Sequence, residues 1–238
     1  MPVRYPGLDQ DFAAQINRIL TGQPVDRGDF YEKRIMVFHR RSLGSTLGTG
    51  VTTYFTTNGT YNPAICTLPN GKSNINEPLV IKEIGFNFEG LTVNESAGTV
   101  AQTAGWYADA TLVGATKATQ FQGLHCAMLA SSVTVRQRNL AMVQGRAIDF
   151  PCGNGSNVEN GNLNAGLAAG AASVCSAINN GQNFPAARYR LADPLVILPD
   201  QAISIDLQFF SAFTLGFETA GCFTLYGSSI SRGGVGIN

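Results

Sequence analysis

Between residues 203 and 209 the chain reads ISIDLQF, with Ile203, Ile205, Leu207 and Phe209 alternating with Ser204, Asp206 and Gln208. Successive side chains of an extended backbone point to opposite faces, so this stretch makes a strand with one buried and one wetted face. Just upstream, Leu195, Val196, Ile197 and Leu198 form a continuous apolar run that ends at the turn pair Pro199-Asp200. Downstream, Phe223, Leu225 and Tyr226 lead into a small polar tail. Strand, tight turn, strand, loop and final strand over residues 187–233 is the pattern of an antiparallel two-layer fold.

The same pattern recurs upstream. YEKRIMVFHRR, residues 31–41, is rich in β-branched and aromatic residues, and Ile35 to Phe38 reads as a strand buried on both sides. VTTYFTT (51–57) has high β-propensity, and turn pairs follow at Asn58-Gly59 and Asn70-Gly71. In residues 79–89, Ile84, Phe86 and Phe88 share one face, with Gly85, Asn87 and Glu89 on the other. The expected strands are 31–41, 50–57, 78–89, 99–113, 117–129, 140–149, 187–198, 202–210 and 222–232. Such a number in one 238-residue chain suits a single all-β domain, a jelly-roll (Greek-key) β-sandwich over residues 31–238.

Two segments stand outside that domain's pattern. Residues 1–30 form an N-terminal arm, in which Leu8, Phe12, Ile16, Ile19 and Leu20 recur at helical spacing. Asp9 and Asp11 favour the start of a helix and Gly22 with Pro24 its end, which predicts a helix over 8–20 with one apolar stripe to bury. Residues 153–184 form an insertion dominated by Gly, Ala, Asn and Ser, with Glu159 its one acidic or basic residue. It reads equally as a long surface loop or as a short helix carrying Leu163, Leu167, Val174 and Ile178 on one face.

Charge narrows the partners. Lys plus Arg number 16 and Asp plus Glu 16, and only 13% of residues are charged, about half the usual share. Nothing in that balance builds the basic field that holds a phosphate backbone, so direct nucleic-acid binding is not expected. A surface so short of charge suits one covered by neighbouring subunits. The five cysteines (Cys66, Cys126, Cys152, Cys175, Cys222) contain no C-x-x-C pair and read as free, mostly buried thiols of a reducing compartment. MPVRYPGLDQDF lacks the apolar core of a secretory signal, and no run of 18 apolar residues occurs, so synthesis in a cytoplasm without membrane insertion is expected.

No constellation for chemistry stands out. The two histidines, His39 and His125, each sit in apolar sequence and read as core or rim residues. His125 and Cys126 are adjacent on an expected strand and point to opposite faces, so they make no nucleophile–base pair. Paired carboxylates for glycosidic chemistry would have to come from Asp193, Asp200, Asp206 and Glu218, of which Asp200 reads as a turn residue and Asp206 as a solvent-side residue. No metal set, phosphate-binding loop or serine elbow occurs, and no cofactor and no enzymatic activity are expected. The basic cluster Lys33, Arg34, Arg40 and Arg41 reads as a set of intersubunit ion-pair partners, with Arg34 and Arg40 sharing one strand face. Trp106, beside Tyr107, reads as an interface anchor, or alternatively as the stacking platform of a carbohydrate-binding module.

IMVFHR, EPLVIKEIGFNFEG, RYRLADPLVILPDQAISIDLQFF and CFTLYGSSIS together resemble the strand segments of jelly-roll virion structural proteins of bacteriophages. The resemblance implies a homo-oligomer, trimeric or larger, acting as a coat subunit or as a cement (decoration) protein bound to a major capsid protein or another virion protein. Its location would be the virion, and it carries over no catalytic residue. Where genome-packaging coats often have a basic arm, residues 1–30 hold three arginines against four aspartates. That favours the cement role, with Phe12, Ile16 and Ile19 as the docking stripe and Arg34, Arg40, Arg41 and Trp106 as further interface residues.

Overall fold

A computed structural model describes residues 30–56, 62–72, 77–102, 123–152 and 188–232. The expected helix 8–20, the insertion 153–184 and Trp106 lie outside them, as do Phe12, Ile16 and Ile19. Ten strands are present in the described residues: β1 (Phe30–Leu47), β2 (Thr52–Tyr54), β3 (Leu79–Glu89), β4 (Leu91–Asn94), β5 (Thr99–Gln102), β6 (Ser131–Gln137), β7 (Leu140–Gly145), β8 (Tyr189–Ile197), β9 (Ile203–Phe209) and β10 (Phe213–Arg232). A helical turn, α1, spans residues 123–129.

The protein is all-β and antiparallel. One sheet has the order β1-β10-β3-β8, a second β2-β9-β6-β7, and β4 pairs with β5 in a small hairpin. Four of the pairings nest inside one another: β1 with β10, β2 with β9, β3 with β8, and β6 with β7. Two more, β10 with β3 and β9 with β6, bring turns of that ribbon side by side. The two sheets share one core. Val37, Ile84, Phe86, Phe223 and Leu225 come from the first sheet, and Tyr54, Val133, Val135, Ile205 and Leu207 from the second. Aromatic pairs cross between them: Tyr54 meets Phe223 edge-on at 4.8 Å, and Phe88 stacks with Phe209 at 6.3 Å.

Alternation places these residues as the sequence requires. In β9, Ile203, Ile205, Leu207 and Phe209 are buried while Ser204, Asp206 and Gln208 face outward. The continuous run at 195–198 also has a cause: Leu195 and Ile197 enter the core, and Val196 and Leu198 pack with Val80 and Ile230 in a second, small cluster.

Three expectations need correction. Residues 35–38 are not buried on both sides; Val37 is core, but Met36 is exposed and Phe38 half-buried, as one-faced alternation dictates. The strand expected over 117–129 is helical at 123–129. Leu124, Ala127 and Met128 lie three and four residues apart, a spacing that gathers them on one face of a helix, and all three are buried in the core. The strand expected over 140–149 ends at Gly145, and residues 133–150, whose sequence fits either a strand pair or a mixed segment, hold the β6–β7 pair. The turn that joins them is Arg138-Asn139, both left-handed with φ of 50° and 65°, where Asn-Gly would be the usual pair.

Candidate functional site

His39 lies on the inner face of β1 and is fully buried. Its Nδ1 accepts the backbone N–H of Phe55 at 2.6 Å, and the rings of Tyr54 and Phe55 meet it edge-on at 5.7 and 5.6 Å. Burial, with Arg41 adding to it, lowers its pKa to about 3, so the imidazole is neutral at physiological pH. Nε2 finds no hydrogen-bond partner among the described residues. The buried, neutral ring holds the N–H of Phe55, whose φ is 64°.

Tyr54 is buried beside it, with its hydroxyl directed against Gly221 and without a hydrogen-bond partner among the described residues. Burial raises the phenol's pKa well above its ordinary value. An unpaired buried hydroxyl is a standing cost, so Tyr54→Phe is expected to stabilise the fold by about 1 kcal/mol. Urea unfolding would check this; a lower midpoint in Tyr54→Phe would mean that the hydroxyl has a partner.

The basic cluster divides by strand parity. Arg40 donates from Nε to Glu89 Oε2 at 2.6 Å and from an amino group to the carbonyl of Ala64. Arg41 donates to Glu95 Oε1 at 3.0 Å and to the carbonyl of Thr53. Their partners are therefore within the chain, where the sequence reading expected them across a subunit boundary. Arg34 is exposed, opposite Ser228 of β10. Segment 62–67 runs along the outer edge of β1, with Arg40 N–H bonded to Ile65 and Thr67 N–H to Phe38, so that edge is covered at Phe38 to Arg40.

Other chemistry-bearing residues are scattered. His125 and Cys126 are consecutive on α1 rather than on a strand, and consecutive helical positions also diverge. Of the described cysteines none is in a disulfide; Cys66, Cys152 and Cys222 are buried and Cys126 is exposed. Asp206 accepts from Thr53 Oγ1 and from Arg136 Nε, each at 2.8 Å, which ties β2, β9 and β6 together on the outer face. Asp200 is in the expected turn. No group of three His, Cys, Asp or Glu side chains suited to a metal occurs among the described residues.

What the sequence did not flag is an apolar edge. β7 is the outer strand of its sheet and contains no charged residue and no proline, the usual guards of such an edge. Leu140 and Met142 stand on one side of it, 68% and 47% exposed. Elsewhere Phe210 is 64% exposed, and its N–H is bonded to the carbonyl of Ala130, beside exposed Leu129. No protein-family model matches the chain, and no curated protein is significantly similar to it. Among the described residues no helix is long and apolar enough to cross a membrane.

Proposed function

We propose that the chain is a jelly-roll structural subunit of a bacteriophage virion, assembling with copies of itself as a coat or decoration protein. The observation that supports this most is the nested pairing of eight strands about the β6–β7 turn. A long antiparallel ribbon coiled on itself gives this arrangement of two four-stranded sheets, and it is how a jelly roll is built. Jelly rolls serve in virus shells and in lectins alike, so the fold does not choose between them. The surface favours assembly: few charges overall, and an unguarded apolar edge at β7 with Leu140 and Met142 uncovered.

In solution this reading expects a homo-oligomer burying on the order of 2,000 Å² per interface, an area usual for obligate assemblies. Mass photometry of the purified chain should show trimers or larger rings. The pair Leu140→Glu and Met142→Lys, both on exposed side chains, should shift the population to monomer and abolish the rise of the unfolding midpoint with protein concentration that the assembled parent shows. A chain that remains monomeric at high concentration and does not bind phage capsids would contradict the proposal.

A further inference from the structure

Four residues other than glycine adopt left-handed backbone among the described residues: Phe55, Asn70, Arg138 and Asn139. All four line the same groove, at the end of the second sheet. Left-handed backbone is disfavoured for side chains with a β-carbon, least so for asparagine; the hairpin turn itself calls for it at Arg138-Asn139, whereas at Phe55 it is a strained conformation of the kind that collects at binding sites. Three separate loops supply them here: the end of β2, the turn at residues 69–71 and the β6–β7 turn. Each is braced. Phe55 N–H is held by His39, Arg138 N–H by the carbonyl of Ala202, and Gly71, beside Asn70, lies hard against the carbonyl of Ile203.

The groove has a volume of about 370 Å³, room for a small molecule. Its charge is one-sided. Lys72, Arg136 and Arg138 line it against a single carboxylate, Asp200. Arg136 is paired through Nε with Asp206, whereas Lys72 and Arg138 have no carboxylate partner among the described residues. Gln201 is buried, and its amide lies against both the Arg138 guanidinium and the Gln137 side chain. Gln137 in turn donates to the carbonyl of Val196, so this arginine is packed on a fixed polar shelf. In a chain whose acidic and basic residues balance overall, this local excess of cations sits where the backbone strain also collects.

We infer that this groove is a binding site for a small oxyanion, a carboxylate or phosphate group carried by a compact molecule, with Lys72 and Arg138 as its charge partners and Asn70 and Asn139 as amide donors. Arg supplies a planar fork and Lys a mobile point charge, which together suit an anion that enters from solvent. The groove adjoins the start of the apolar β7 edge at Asn139-Leu140, yet anion binding there does not depend on the assembly reading.

The test is a titration of the full chain with inorganic phosphate, with glucuronate and with glucose, followed by backbone amide NMR shifts. Saturable shifts at residues 70–72 and 136–139 are expected with at least one anion and not with glucose. A response to phosphate alone assigns a phosphoryl ligand, and a response to glucuronate alone assigns a carboxylate. Lys72→Gln, on an exposed side chain, should weaken binding about tenfold. Arg138→Gly should weaken it similarly while holding or raising the melting temperature, because glycine removes the left-handed strain. No saturable shift with either anion, an equal response to glucose, or unchanged affinity in both folded variants would overturn the inference.

Discussion

Gly227→Ala is expected to cost the fold more than about 3 kcal/mol, a large part of the 5–15 kcal/mol that holds a typical domain together. Gly227 is in β10, which is hydrogen-bonded on one side to β1 and on the other to β3. A β-carbon built there would press into the carbonyl oxygen of Val80, 2.9 Å from its carbon and 3.0 Å from Ile81 Cα. These are backbone atoms of β3, itself paired onward with β8 through Val80↔Val196 and Ile81↔Leu195. They cannot swing away as a side chain would. Relief requires that β3 move, and β3 carries Ile84, Phe86 and Phe88 into the core. For a chain of this length the loss corresponds to roughly 6–12 °C in Tm. Gly48→Ala is the control: nothing lies within 4 Å of a β-carbon there, and the change should stay within about 0.5 kcal/mol. Equal midpoints for the two variants in urea would show that the sheet accommodates the methyl group.

The same crowding marks what could and could not be read from residues alone. One-faced strands were legible because a period of two is written directly into ISIDLQF and into Ile84, Phe86 and Phe88. β10 was legible only from Cys222 onward, because its first half, FTLGFETAG, mixes small, polar and apolar residues without a regular period. Its centre is buried on both faces, with Phe223 and Leu225 inward and Cys222, Thr224 and Tyr226 covered on the other side. The ring of Tyr226 lies 3.8 Å beneath the guanidinium of Arg188, and its hydroxyl donates to the carbonyl of Cys152. Such burial comes from segments distant in sequence, and no local pattern announces it. α1 was misread because a short apolar run fits a strand as well as a helix, and only the spacing of Leu124, Ala127 and Met128 decides. The groove was invisible for a further reason. Arg138-Asn139 is not a turn pair that sequence flags, and Lys72 reads as ordinary turn chemistry until the fold brings it near Arg138. Pairwise hydrophobic order is local information; the meeting of three loops is not.

Acid should weaken this fold earlier than its carboxylates alone would, through His39. The ring titrates near 6.5 in an unfolded chain and at about 3 when buried in the folded one. Between those values the unfolded state binds a proton that the folded state refuses, so protons favour unfolding. The stabilising contribution of the neutral ring is therefore complete above about pH 6.5 and declines as pH falls toward 3. Between pH 7 and 5, where most carboxylates remain ionised, linkage gives a loss of about 2 kcal/mol from this one residue. The physical source is desolvation first and Arg41 second. Charging the ring would also turn Nδ1 from acceptor to donor, which breaks its bond from Phe55 N–H and releases the left-handed turn that this bond fixes. His39→Asn keeps an acceptor near that position and removes the titration. It should be less stable than the parent at pH 7, since it fills less of the core, yet lose about 2 kcal/mol less between pH 7 and 5. Urea unfolding of both chains across that interval gives the difference directly. Parallel stability curves would mean that the ring is reached by water in the folded state, and that Phe55 is held by something other than His39.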